Sequence, residues 1–388
     1  MQISDEVVHE AANFCLISYE IPKTLLKPQN LKEAVDESIA SQYKPDFILR
    51  RNIYWIGSEC LAFLRIRQSV EEEDGMKRAY VVFRGTENDQ RGNWLFANLQ
   101  MHKRKFAEPN FQVAGTMHMG FFRAFHWLWY TQEPLLDEKF EKHRRRIFYL
   151  RHSIFLGMVV LLGIRIGVGL PLLVWVLLWV ILLLVELGVV EGFWKKKPEG
   201  HKDHIADTLE RLRDCDQVVF CGHSLGGAMA TIAFASYSTW RRNHGLDSNA
   251  LLVTFGAPRI GDQQCMEHFE KTFGNSGSLP YAHYRHVGDV VPLVPCSLKQ
   301  ALGFFKNGVG VATLLVLFGV ARQIYALMYA QSSPGEWGDK RAVRWVGHCN
   351  DNEKIRLRLL KWHPMMHYKN AISEVGCDNR DIDDVAFS

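Results

Sequence analysis

Short apolar runs alternate with longer segments of helical spacing, and this pattern predicts the main elements of the fold. Residues 218–221 form an apolar run typical of a buried parallel strand, and residues 228–240 suit a helix that follows it. Residues 78–83 and 281–287 indicate two further strands. Strands that alternate with helices favour a mostly parallel sheet flanked by helices, so the predicted fold class is α/β.

A long hydrophobic insertion interrupts this alternation at residues 147–197. Residues 166–185 carry no charged side chain and are long enough to span a bilayer core, which takes about 20 residues. Residues 153–164 are also apolar, and Arg165 separates the two stretches. Because glycines and a proline cluster at 167–171, we predict a helical hairpin that turns there and associates with a membrane.

Charge and topology both limit how this hairpin can lie. Basic side chains flank it at 142–151 and 195–197, which favours the cytoplasmic face for both ends. The strands before and after it are expected in one sheet, so the insertion must leave and return on the same side of a membrane. A hairpin that enters one leaflet and a long helix buried in an enlarged cap are the alternatives.

A second apolar segment lies at residues 301–330, where residues 308–321 carry no charge. This stretch is too short for a confident membrane span. It is either a core helix or an interfacial helix that seats the protein on lipid.

Composition narrows the class of protein. The 388 residues leave room for one large α/β domain plus an insertion, and the formal net charge is only +4. We find no interleaving of aromatic and basic residues, so nucleic acid is not an expected partner. The eight cysteines include no CxxC motif and the N-terminus lacks a secretory signal. We therefore expect free thiols, a protein that is not secreted, and a domain on the cytoplasmic side of a membrane.

The strongest chemical motif is Gly-His-Ser-Leu-Gly-Gly at residues 222–227, between the predicted strand and helix. Glycines on both sides permit a sharp turn that exposes Ser224. A serine hydroxyl becomes a nucleophile only with a base beside it and donors that face the oxyanion. The alternative is a glycine-rich turn without a ligand.

An acid and a histidine are expected downstream of such a serine. Asp289 follows the strand predicted at 281–287, and a rigid loop there would lie at the carboxyl edge of the sheet, where ligands gather. Near the C-terminus, His363 and His367 precede a predicted helix. The chain therefore holds candidates for all three members of a catalytic triad.

With these residues in place, the chain resembles the class 3, or fungal-type, lipases, which are α/β hydrolases. The resemblance covers about residues 1–130 and 205–375. The blocks that carry it lie, in chain order, at residues 11–15, 80–86, 93–95, 118–121, 222–227, 254–261 and 288–292. It implies one lipase-like α/β-hydrolase domain over residues 1–388, into which the segment 147–197 is inserted.

The resemblance also implies roles for individual residues. Ser224 would be the nucleophile, Asp289 the orienting carboxylate and His363 the general base, with His367 as the alternative base. The oxyanion donors would come from Thr86 and from the backbone amide of Leu225. In addition, Trp94 and Leu95 would belong to a lid helix over the site, and the alternative is an ordinary surface helix packed on the core. No cofactor and no metal is implied.

The function that these features predict is a membrane-associated serine hydrolase that cleaves acyl esters of lipids. The expected partners are a lipid ester substrate and the bilayer, while protein partners are unknown. Triacylglycerol, diacylglycerol and phospholipid all remain open as substrates. The alternatives are an acyltransferase, an inactive lipase-like scaffold for protein interaction at a membrane, and a tethering protein in which the hairpin itself is the function.

Overall fold

We analysed the fold in a computed structural model of the full chain. The structure describes residues 3–20, 47–54, 58–68, 76–86, 103–104, 113–129, 209, 211–274, 279–286, 289, 291–293, 342–346 and 365–375.

Seven of the described strands form one mostly parallel sheet, which confirms the predicted α/β class. The strand order is β1-β2-β3-β6-β7-β8-β9. Strands β1 to β3 pair antiparallel, whereas β3, β6, β7, β8 and β9 run parallel to their neighbours. The strands of this sheet are β1 (Phe47–Tyr54), β2 (Ser58–Gln68), β3 (Lys77–Phe83), β6 (Gln217–His223), β7 (Ala250–Phe255), β8 (Tyr281–His286) and β9 (Val343–Val346).

Helices cover both faces of this sheet. The helices are α1 (Asp5–Glu20), α2 (Met119–Trp129), α3 (Leu225–Asn243), α4 (Gln263–Phe273) and α5 (Met365–Val375). Side chains of α1 and α5 pack on one face, against Val219 and Cys221 of β6. Those of α2, α3 and α4 pack on the other, against Val218 and Phe220. Because successive side chains of a strand point to opposite faces, a continuous apolar run such as β6 serves both cores.

A short two-stranded sheet, β4 (Lys103–Arg104) with β5 (Met117–His118), precedes α2. Asp262 fixes this segment to the main sheet. Its carboxylate accepts hydrogen bonds from the Thr116 amide (3.0 Å) and from the Cys265 amide (2.9 Å), so it also caps α4. The helix that leads towards the insertion is thereby attached to the same body as β6.

Two predicted segments lie outside the described residues, namely the insertion at 147–197 and the apolar segment at 301–330. Within the part of the chain that the structure describes, no helix is long and apolar enough to cross a membrane. Cys15, Cys215, Cys221 and Cys265 are free and buried.

Candidate active site

Ser224 occupies a strained turn between β6 and α3. Its backbone has φ 56° and ψ −130°, and among the described residues it alone has a positive φ without being glycine. Such a conformation costs about 1–3 kcal/mol and persists only where neighbours enforce it. The Ser224 amide donates to the backbone oxygen of Phe255 at 2.9 Å. The backbone carbonyl oxygen of Ser224 accepts from the Gly227 amide at 2.9 Å. The sequence motif therefore forms a sharp, strained turn between strand and helix, which we call the elbow.

Gly222 and Gly226 allow neighbouring backbone segments to pass very close to each other next to Ser224. A Cβ on Gly226 would lie 2.8 Å from the carbonyl carbon of Arg84 and would overlap the oxygen of Phe83. A Cβ on Gly222 would lie 2.7 Å from the nitrogen of Gly227. The end of β3 is therefore packed directly onto the elbow, which a larger residue at position 226 would prevent.

The loop after β3 lies beside the candidate nucleophile. A Cβ on Gly85 would lie 3.1 Å from Cβ of Ser224 and 2.6 Å from the oxygen of His223. Thr86, half-buried, is the next residue, and Leu225 is the buried first residue of α3. Both residues that the sequence predicts as oxyanion donors therefore adjoin the turn at Ser224, and their role stays a prediction.

Asp289 is buried, with 2% of its surface exposed, and it follows β8 as predicted. One carboxylate oxygen accepts from the Val291 amide at 2.9 Å, and the other accepts from the Tyr368 hydroxyl at 2.5 Å. Its own amide donates to the oxygen of His286 at 3.0 Å. These bonds hold the carboxylate in one orientation.

Tyr368, on α5, contacts Asp289, and the sequence alone did not identify it as part of the candidate site. Its hydroxyl donates to Asp289 and accepts from the His286 amide at 3.1 Å. Burial, and then the neighbouring Asp289, raise the pKa of Tyr368 well above its ordinary value. The hydroxyl therefore stays protonated at neutral pH and can keep donating to the carboxylate.

Gly256 connects the acid to the elbow. It has φ +56°, and a Cβ there would lie 3.0 Å from the Asp289 carboxylate and 2.9 Å from the Tyr368 hydroxyl. The residue before it, Phe255, binds the Ser224 amide. The carboxyl ends of β6, β7 and β8 therefore meet at Ser224 and Asp289, at the edge of the sheet that the sequence predicted.

Of the remaining candidate residues, the structure describes only His367. His363, Trp94 and Leu95 lie outside the described residues. His363 precedes the first residue of α5 by two positions, and the same helix carries Tyr368. His367 is half-buried on α5, where its ring centre lies 6.2 Å from that of His286.

A small cavity lies between α3 and the loop after β7. It measures about 20 Å³ and is lined by Thr231, Thr254, Arg259 and His283 among others. Burial, and then the nearby Arg285, lower the pKa of His283 to about 3, so this imidazole is neutral. The volume suits a water molecule rather than an acyl chain.

Within the described residues, no group of His, Cys, Asp and Glu side chains is arranged to hold a metal ion.

The Tyr368 contact yields a prediction for catalysis. We expect Tyr368→Phe to lower kcat for ester hydrolysis about tenfold with little change in KM, because a hydrogen bond to a carboxylate contributes about 1.5–3 kcal/mol. Steady-state kinetics on a soluble short-chain ester would measure this. The matched control is Tyr237→Phe on α3, which loses hydroxyl bonds to Leu212 (3.3 Å) and Asn249 (3.2 Å) at a distance from the site. Equal kcat values for wild type and Tyr368→Phe would contradict the orienting role.

The mostly parallel sheet with helices on both faces, and the strained serine turn between β6 and α3, fit an α/β-hydrolase fold. The sequence model of the family described as lipase (class 3) matches residues 183–299, which contain both Ser224 and Asp289. This segment of the chain is similar to the class 3 lipase family.

Individual relatives match over short stretches. A lipase of Rhizopus niveus is 34% identical over 94 residues, which make up 24% of this chain and 21% of the relative. Phospholipase A1-II 5 of Oryza sativa subsp. japonica is 30% identical over 108 residues, or 27% of this chain and 22% of the relative. The matched part thus spans about a fifth of each relative. The Rhizomucor miehei triacylglyceride lipase structure aligns with TM-score 0.41 and 17% identity, covering 76% of this chain and 77% of that one.

Proposed function

We propose that this protein is a serine hydrolase that cleaves acyl ester bonds of lipids through an acyl-enzyme on Ser224. The observation that carries the proposal is the strained elbow. Ser224 is held at φ 56° between the loop after β3 and the end of β7, where the buried Asp289 lies. Such strain persists where the surrounding structure enforces it, and it is typical of active sites.

In the proposed reaction, His363 takes the proton of the Ser224 hydroxyl while the serine oxygen attacks the ester carbonyl. Amides at Thr86 and Leu225 stabilise the oxyanion, and His363 returns the proton to the leaving alcohol. Water then attacks the acyl-enzyme in the same manner and releases the fatty acid. Asp289 orients the histidine and stabilises its protonated form, and Tyr368 and Val291 hold that carboxylate.

The substrate class rests on the family. The relatives that the chain resembles include lipases and phospholipases A1, so triacylglycerol, diacylglycerol and phospholipid are the substrates to compare. The test is fatty-acid release from each of these lipids in mixed micelles, with wild type beside a variant that lacks the Ser224 hydroxyl. Serine-dependent release from any of them supports the proposal, and absence of release from all of them refutes it.

We further propose that residues 147–197 attach the hydrolase to a membrane as a hairpin, with the domain on the cytoplasmic side. The charge-free stretch 166–185 and the basic residues on both flanks support this proposal. So does the fold, because α2 before the insertion and β6 after it pack in one hydrophobic core. Both ends of the insertion must then lie on one side of the bilayer.

The membrane proposal predicts the behaviour of the protein in alkaline carbonate. We expect the full chain to stay in the membrane pellet, because inserted apolar segments resist this extraction while peripheral proteins are released. A variant without residues 147–197 is expected in the supernatant, and sedimentation with immunodetection would measure both. Complete release of the full chain would contradict an inserted hairpin. Retention of the shortened variant in the pellet would instead indicate that residues 301–330 attach the protein to the membrane.

A further inference from the structure

The imidazole of His223, which directly precedes Ser224, is held between two tyrosines from helices at opposite ends of the chain. The hydroxyl of Tyr19 on α1 lies 2.7 Å from Nδ1 of His223. The ring centres of Tyr19 and Tyr368 lie 5.7 Å and 5.8 Å from that of His223, with interplanar angles of 68° and 63°. Tyr368 has a role through Asp289, whereas the mechanism leaves Tyr19 without one.

The Tyr19 hydroxyl also touches the loop after β3. It occupies the space that a Cβ on Gly85 would fill, and the same space borders the oxygen of His223 (2.6 Å) and Cβ of Ser224 (3.1 Å). One hydroxyl group thus lies at the point where the loop that carries Thr86 meets the elbow. A displacement of that hydroxyl would open a gap between the loop and the nucleophile.

The helix that carries Tyr19 is firmly attached to β3, the strand that leads into this loop. The ring of Phe14 lies 4.7 Å from that of Tyr80, measured between centres, and both are buried. The Tyr80 hydroxyl donates to the Glu10 carboxylate, also on α1. Because α1 cannot slide along β3, the position of Tyr19 relative to Gly85 is fixed.

We propose that Tyr19 is a positioning residue, which holds the loop at Gly85 and Thr86 and the elbow at His223 in the spacing that the oxyanion requires. This inference rests on the proposed function. Its physical basis is that oxyanion donors act only at hydrogen-bond distance from the developing charge. A misplacement of about 1 Å can cost about 100-fold in rate. The N-terminal helix therefore contributes to catalysis without touching the substrate.

The test compares Tyr19→Phe with wild type on p-nitrophenyl butyrate, and it measures kcat, KM and the thermal midpoint. We expect kcat to fall about 10- to 100-fold and KM to stay within about twofold. The control is Tyr237→Phe, whose Cα lies about 20 Å along α3 from that of Ser224 at the usual helical rise. It should show a similar loss of thermal midpoint with an unchanged kcat, since it also loses buried hydroxyl hydrogen bonds.

Three results would overturn the inference while leaving the hydrolase intact. An unchanged kcat in Tyr19→Phe would show that the hydroxyl does not position the site. A raised KM at constant kcat would make Tyr19 a substrate contact instead. A fall in rate that vanishes once rates are normalised to the folded fraction would leave only a structural role. A wild type without esterase activity would instead refute the proposed function itself.

Discussion

We expect Ser224→Ala to lower kcat for ester hydrolysis by about 10⁶-fold, which amounts to the loss of measurable turnover. In the proposed reaction the hydroxyl oxygen forms the acyl-enzyme, so no other group in the site can replace it. The fold should survive, because alanine retains Cβ and the backbone bonds to Phe255 and Gly227 do not involve the side chain. Initial rates on a short-chain ester and a thermal melt would measure both effects.

Ser238→Ala is the matched control for this change. Ser238 is a buried serine of α3, the helix that follows Ser224, with 4% of its surface exposed, and the substitution removes a serine hydroxyl far from the elbow. We expect its kcat to equal that of wild type. If Ser224→Ala retained the rate of Ser238→Ala, the assignment of the nucleophile would be wrong.

We expect His363→Ala to cost about 10⁴- to 10⁶-fold in kcat, and His367→Ala to cost less than about tenfold. His363 precedes α5 by two residues, and the hydroxyl of Tyr368 on that helix binds Asp289. The start of α5 is therefore held close to Asp289. His367 is on the same helix and lies beside the ring of His286, the last residue of β8. Its loss can therefore affect stability and packing.

The ranking of the two histidine variants decides the base. His244→Ala, at an exposed residue just after α3, controls for loss of an imidazole elsewhere in the protein. A larger loss for His367→Ala than for His363→Ala would move the base to His367. Equal and small losses for both would contradict a triad that draws its base from the C-terminal segment.

Hydrophobic periodicity predicted the strands that position the site, but it misplaced the start of the key helix. The strand predicted at 218–221 is Gln217–His223, whereas the helix predicted to begin at 228 begins at Leu225. The two glycines at 226 and 227 lower helix propensity, so the pattern did not extend through them. In the fold, the backbone carbonyl oxygen of Ser224 accepts from the amides of Gly227 and Ala228. The helix therefore starts directly at the elbow.

The contacts that orient the site could not be predicted from one sequence. Tyr19 and His223 are 204 residues apart, and Tyr368 and Asp289 are 79 residues apart. Motif spacing indicates candidate residues within a segment, and in this way it singled out Ser224 and Asp289. Which distant hydroxyl reaches a buried carboxylate or imidazole depends on how α1 and α5 pack on the sheet.

The most direct test of an activated serine is labelling with a fluorophosphonate probe in detergent, with wild type beside Ser224→Ala. The account predicts that the probe labels wild type and leaves the folded variant unlabelled, because phosphonylation requires the nucleophile, the base and the oxyanion donors together. Absence of labelling in folded wild type, or equal labelling of both proteins, would contradict Ser224 as the nucleophile of a hydrolase.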